Sequence, residues 1–157
     1  MSRGTNAQSV FGFVIPDMAK GPWADIASGI RQTAQKDGHG VCVPLCWDDP
    51  AAVLRHPSVF ARLCAEAGID GVFLRAFPDR KGTRRVLSAL RREKIPVALF
   101  RINDESPVGG AGFDVVTLRR EGRVPSLLAV QLGSVACHVL LQRLAKPRNP
   151  PADLVLE

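Results

Sequence analysis

Four short stretches of this chain bring aromatic rings, carboxylates and guanidinium groups together, and each directly follows an apolar run. Asp17, Met18 and Trp23 follow the first run, and Trp47 and Asp48 the second; Arg75, Phe77 and Asp79 follow the third, and Arg101, Asn103 and Asp104 the fourth. Ring faces beside directed donors and acceptors suit a sugar or a small polar acid, which needs apolar stacking and a few oriented hydrogen bonds. Any α/β domain also has polar loop ends, where Trp23 and Trp47 would only pack at a rim, so these residues carry meaning as a set.

The same inventory makes a poor catalytic centre. His39, His56 and His138 fall on a turn, in a loop and within a helical stretch, and no G-x-S-x-G nucleophile turn or helically spaced carboxylate pair accompanies them. The alternative reading is an enzyme of flavodoxin-like fold, gripping an acidic or phosphorylated substrate through Arg75 and Arg101. The loop 17–22, DMAKGP, lacks the Ser/Thr-rich composition such a phosphate site needs. No catalytic residue, metal site or cofactor is expected. Cys42, Cys46, Cys64 and Cys137 lie in apolar stretches, where a free thiol behaves as a small hydrophobe, and no second Cys/His pair at ligand spacing points to zinc.

With 157 residues, one core is the default, and 46% hydrophobic with 23% charged residues is ordinary for a soluble globular chain. The first apolar run is too short to span a bilayer and no secretory leader is recognisable, so a cytoplasmic protein with no membrane partner is expected. The net charge of +6 includes the pairs Arg84/Arg85, Arg91/Arg92 and Arg119/Arg120. Such charge attracts phosphate, nucleic acid or an acidic partner, or is simply a solvated surface. Nothing resembles a helix-turn-helix, so direct DNA reading is not expected.

The elements that must position the loop residues follow from periodicity. Residues 1–9 read as a flexible leader, and 10–157 as a single α/β lobe. Strands are predicted at 10–16, 40–47, 69–74, 96–100, 113–118 and 153–157; Pro44 cannot donate to a ladder and so assigns the second strand to an edge. A helix over 23–36 places Trp23, Ile26, Ala27, Ile30 and Ala34 on one face. A second, over about 58–67, turns Val59, Leu63 and Cys64 inward. A third runs from an N-cap at Thr83 to Lys94, and a long one over 126–144 has Gly133 as its candidate break, with 125–157 forming helix and tail. Alternating strands and helices predict a three-layer α/β/α parallel sheet of five or six strands, flavodoxin-like. Ligands bind such sheets beyond the carboxyl ends of the strands, where strand order reverses.

The stretch FGFVIPDMAKGPWADIASGIRQTAQKDGHGV resembles the opening of the effector-binding domain of lac-repressor and galactose-repressor regulators, and the resemblance continues through GIDGVFL, ALRREKIPVALF and DVVTLRREG. It covers most of residues 10–132. The remainder, LGSVACHVLLQRLAKPRNPPADLVLE, is similar to the tail of such regulators, so the chain reads as the first lobe of a type I periplasmic-binding-protein-like fold joined to the tail, with the second lobe and DNA-binding head absent. The resemblance implies a small-molecule effector, sugar-like or acidic, and a homodimer. It implies that Asp17, Trp23, Trp47, Asp48, Arg75, Phe77, Arg101 and Asp104 line the ligand site. Arg101 stands where the family commonly has an acidic residue for sugar hydroxyls, a departure that disfavours a neutral sugar. Loss of the partner lobe is expected to leave Val135, Val139 and Leu140 uncovered and drive dimerisation. A solute-binding lobe of a transport system shares this fold and is the other alternative.

Overall fold

Short apolar runs flanked by turn residues become strands because their side chains can be covered on both faces, and the six runs of this chain form one parallel sheet. The computed structural model describes residues 9–14, 22–36, 41–44, 50–75, 80–103 and 113–157. Its elements are β1 (Val10–Val14), α1 (Trp23–Lys36), β2 (Val41–Pro44), α2 (Pro50–Arg55), α3 (Pro57–Glu66), β3 (Gly71–Arg75), α4 (Arg80–Arg92), β4 (Val97–Ile102), β5 (Asp114–Leu118), α5 (Ser126–Ala145) and β6 (Asp153–Leu156). The strand order is β2-β1-β3-β4-β5-β6, all parallel, and Pro44 does sit on an edge strand, in register with Phe13.

Period-two alternation divides the core into two layers. Phe11, Phe13, Phe73, Phe100, Val116 and Leu118 pack against α1 and α5, while Val14, Val72, Leu74, Leu99 and Val115 pack against α2, α3 and α4. Rings of Phe11, Phe13, Phe73 and Phe100 meet edge-on or tilted, with centroids 5.7–6.3 Å apart. Offset contacts of this kind add to the burial of large apolar area.

Several sequence expectations are corrected. α2 was expected as turn and loop; Pro50 instead supplies a pre-set φ at its first position. α3 is rotated from its expected phase: Phe60, Ala61 and Cys64 face inward, and Val59 and Leu63 are 52% and 46% exposed. Thr83 is not an N-cap but a fully buried residue one turn into α4, which begins at Arg80. That helix opens on Arg80 and Lys81 with no acid in its first turn, an arrangement that costs roughly 0.3–1 kcal/mol per cation against the helix dipole. α5 is not broken at Gly133. Val139 and Leu140 are buried and Val135 packs against the same cluster, so the apolar surface expected there is already covered.

The reason α5 runs through Gly133 is its contact with α1. A Cβ on Gly133 would overlap the Ile26 carbonyl oxygen and lie 2.9 Å from its carbon; one on Gly29 would overlap the Val130 carbonyl in the same way. Each glycine therefore receives the backbone of the opposite helix, and a hydrogen bond from Thr33 Oγ1 to Ser134 Oγ (2.7 Å) closes the contact. α5 is long and apolar enough to cross a bilayer by length and composition, the one such helix among the described residues, and here its buried side is this packed face.

Ion pairing fastens the end of the chain. Arg143 donates from Nε and Nη2 to both carboxylate oxygens of Asp114 (3.0 Å each), and from Nη1 and Nη2 to the carbonyls of Pro147 (3.0 Å), Asn149 (2.6 Å) and Pro150 (3.0 Å). Asp114 also accepts the Ala152 N–H at 2.9 Å, which sets the start of β6 against β5. Bonding to Asp114 holds the Arg143 guanidinium even more firmly protonated than usual.

Two outcomes follow. Gly133→Ala would be favoured by roughly 1 kcal/mol from helix propensity alone, yet the rigid backbone opposite is expected to make it destabilising by about 2 kcal/mol, in the overpacking range, as measured by urea unfolding. Asp114→Ala leaves Arg143 and three tail carbonyls without their anchor. It is expected to cost about 3 kcal/mol and to speed amide exchange in Leu154–Leu156 more than in β3.

Candidate functional site

Strand order reverses between β1 and β3: β1 leads through α1 to β2 on one side, and β3 leads through α4 to β4 on the other. In parallel sheets ligands bind beyond the carboxyl ends of the strands at such a reversal, and here Arg75 ends β3 and Arg101 nears the end of β4.

Arg75 belongs to the α1 side, with the parity of Phe73. Its guanidinium carbon stands 4.8 Å from the centroid of the Trp23 ring, and that ring meets Phe100 edge-on at 6.5 Å. Trp23 is only 4% exposed. It forms the floor beneath a cation, unlike the open stacking face expected from the resemblance. Such cation–π contacts contribute about 0.5–2 kcal/mol and, more to the point here, fix where the guanidinium's remaining donors point.

Arg101 has the opposite parity. It shares the face of Leu99, so it leaves the sheet on the α3/α4 side, half-buried and in register with Thr117. Arg75 and Arg101 therefore flank the sheet's edge from its two faces and do not form one clamp. Asn103 is occupied structurally: at φ +55° it turns the chain at the end of β4, its N–H donates to the Leu118 carbonyl (2.7 Å), and its Oδ1 accepts the Arg120 N–H (2.8 Å). Asp17, Met18, Trp47, Asp48, Phe77, Asp79 and Asp104 lie outside the described residues.

Sequence reasoning missed a concavity at the same end of the sheet. About 630 Å³ in volume, it is lined by Pro22, Asp25, Gly122, Arg123, Val124, Pro125 and Ser126, where α1 and α5 begin side by side. The available signal was the stretch Gly122 to Pro125, with Gly122 at φ +81° and Pro125 extended before Ser126. A second hollow of about 430 Å³ sits at the other end of the sheet, around the Asp114–Arg143 pair. Among the described residues no group of three His, Cys, Asp or Glu is placed to hold a metal ion.

No protein-family model matches the chain, and no curated protein matches it by sequence. Solved structures do resemble it. The crystal structure of a LacI transcriptional regulator from Lactobacillus brevis superposes with a TM-score of 0.63 at 10% identity, over 94% of this chain and 98% of that one. A periplasmic binding ribose operon repressor protein from Lactobacillus acidophilus matches at TM-score 0.49 and 14% identity, over 96% of each chain. A periplasmic binding protein/LacI transcriptional regulator from Alkaliphilus metalliredigens QYMF, complexed with D-xylulofuranose, matches at TM-score 0.42 and 12% identity, over 96% of this chain and 56% of that one. The fold is thus that of the LacI transcriptional regulator from Lactobacillus brevis.

The buried thiols yield a check on the described core. Cys64 and Cys137 are buried and in no disulfide, and burial pushes the Cys64 thiol from 9.0 up to about 11. At pH 8 almost none of it is thiolate, so iodoacetamide followed by peptide mass spectrometry is expected to leave Cys64 unmodified in the native protein. Labelling should accelerate as pH rises toward 11, and at any pH after denaturation.

Proposed function

We propose that this chain is the effector-binding and self-association lobe of a LacI-type transcriptional regulator, taking a small anionic metabolite such as a sugar acid or sugar phosphate. The observation that carries this reading is the Arg75 guanidinium, seated on Trp23 at the strand-order reversal of a LacI-type sheet. In this reading Arg75 and Arg101 bind the anionic group and Trp23 acts by positioning Arg75. Asp17, Asp48 and Asp104 accept from hydroxyls, and Trp47 and Phe77 supply ring faces. A single lobe covers a ligand from one side only, so affinity is low and depends on charge. The lobe works in the cytoplasm, without a cofactor.

Self-association in this reading uses β6, whose outer side pairs with no strand among the described residues and which exposes Leu154 and Val155. Thermal unfolding is expected to shift upward with one or more sugar acids or sugar phosphates at millimolar concentration and not with neutral sugars. Arg75→Ala should abolish that shift, while lowering the ligand-free midpoint by a few degrees through loss of the Trp23 contact. Sedimentation in parallel is expected to show dimers. Indifference of the midpoint to every compound would reject the ligand, and monomers throughout the micromolar range would reject the assembly.

A further inference from the structure

The sheet's α3/α4 side carries a second cationic feature that the ligand reading does not use. α4 has the sequence RKGTRRVLSALRR, with six cations and no acid in 13 residues. At 100° per residue, Arg80, Lys81, Arg84, Arg85, Arg91 and Arg92 all fall within an arc of about 140°, with only Ser88 among them. All seven side chains are exposed, while Gly82, Thr83, Val86, Leu87, Ala89 and Leu90 on the remaining arc are buried. Arg80, Arg84, Arg85 and Arg92 form no ion pair among the described residues, and Arg91 is ordered by its guanidinium lying 4.2 Å from the Phe113 ring centroid.

Local stability does not explain this pattern. Cations crowd the N-terminal turn, where the helix dipole favours acids, and Arg80–Arg84 and Lys81–Arg85 are like-charge pairs at i,i+4. By contrast α1 obeys both rules, with Asp25 in its first turn and Lys36 in its last. Only Arg91 and Arg92, in the last turn of α4, suit the dipole, and the repulsion among the four cations of its first half is relieved when a polyanion lies on them.

We infer that α4 is a docking surface for the phosphate backbone of double-stranded nucleic acid, bound without regard to sequence. Five of the six cations are arginines, whose planar forks match phosphate oxygens two at a time. The stripe is about 18 Å long, about the axial rise of five base pairs, enough to meet several phosphates of a duplex. Ser88 is the one neutral polar side chain on it, so no Asn, Gln or carboxylate is present to read adenine or cytosine edges. A membrane surface fits less well, because every apolar side chain of α4 is committed to the core and none is left to insert. The packed neighbour α3 adds an exposed Arg62 and an exposed Glu66, leaving the surface cationic.

The test measures fluorescence anisotropy of a labelled 30-base-pair duplex of arbitrary sequence against the whole protein, from about 20 to 200 mM salt. Binding is expected, with a logarithmic salt slope that falls by about one per arginine removed in Arg84→Gln/Arg85→Gln/Arg92→Gln. That variant should keep the circular dichroism spectrum and melting midpoint of the parent. A second triple, Arg119→Gln/Arg120→Gln/Arg148→Gln, makes the same change in net charge elsewhere on the surface and should bind nearly as the parent does. Equal loss in the two triples would overturn the assignment to α4, as would absence of binding at 20 mM salt. Tighter binding to phosphatidylserine vesicles or to polyglutamate than to the duplex at matched salt would overturn the assignment to nucleic acid.

Discussion

The lobe depends on how closely α1 and α5 approach. Gly29 and Gly133 each admit the other helix's backbone, so the two helices meet without a layer of side chains between them. Only at that distance do Ile26, Ile30, Leu132, Ala136 and Leu140 all reach the Phe11, Phe13, Phe73 and Phe100 rings from one side. The same contact sets Trp23 at the mouth of the sheet, because α1 begins there with its phase already fixed by Ile26, Gly29 and Ile30. A core constraint in the middle of two helices thus decides where the Arg75 cation stands, and it ties packing to the site.

The tail is placed against a common rule. β3–α4–β4 and β5–α5–β6 advance in the same direction across the sheet, yet α4 and α5 lie on opposite faces, so the two crossovers have opposite hand. Since β1–α1–β2 advances the other way with its helix on the α5 face, it shares the hand of β3–α4–β4, and the last crossover is the exception to the strong right-handed preference. Short connections do not choose that arrangement by themselves. Here specific interactions hold it: the glycine contact toward the middle of α5, and near its end the Arg143 fork on Asp114 and three tail carbonyls.

Periodicity made the sheet and the long helices legible because burial on both faces leaves uninterrupted apolar runs, and the expected Trp23, Ile26, Ala27, Ile30 and Ala34 are all on α1's inner face, joined there by Gly29 and Thr33. What failed was local chemistry overridden by packing. Gly133 signals a helix break in isolation but is a helix contact in the fold, and Thr83 has the type of a cap but lies in the core. In α3 the choice between Val59/Leu63 and Phe60/Ala61 depended on which stripe the larger ring occupied, and Phe60 took the core. Of the candidate site residues, Arg75 and Arg101 were legible as strand-end positions. The burial of Trp23 beneath Arg75 was not, because it depends on the placement of α1 over the sheet.

That burial bears on what kind of ligand the site can select. With one ring face occupied by a guanidinium, Trp23 has little apolar surface left for a pyranose to stack on, and it contributes by holding a charge in place. Arg75 and Arg101 leave the sheet on opposite faces, so the two guanidinium groups do not converge on one point.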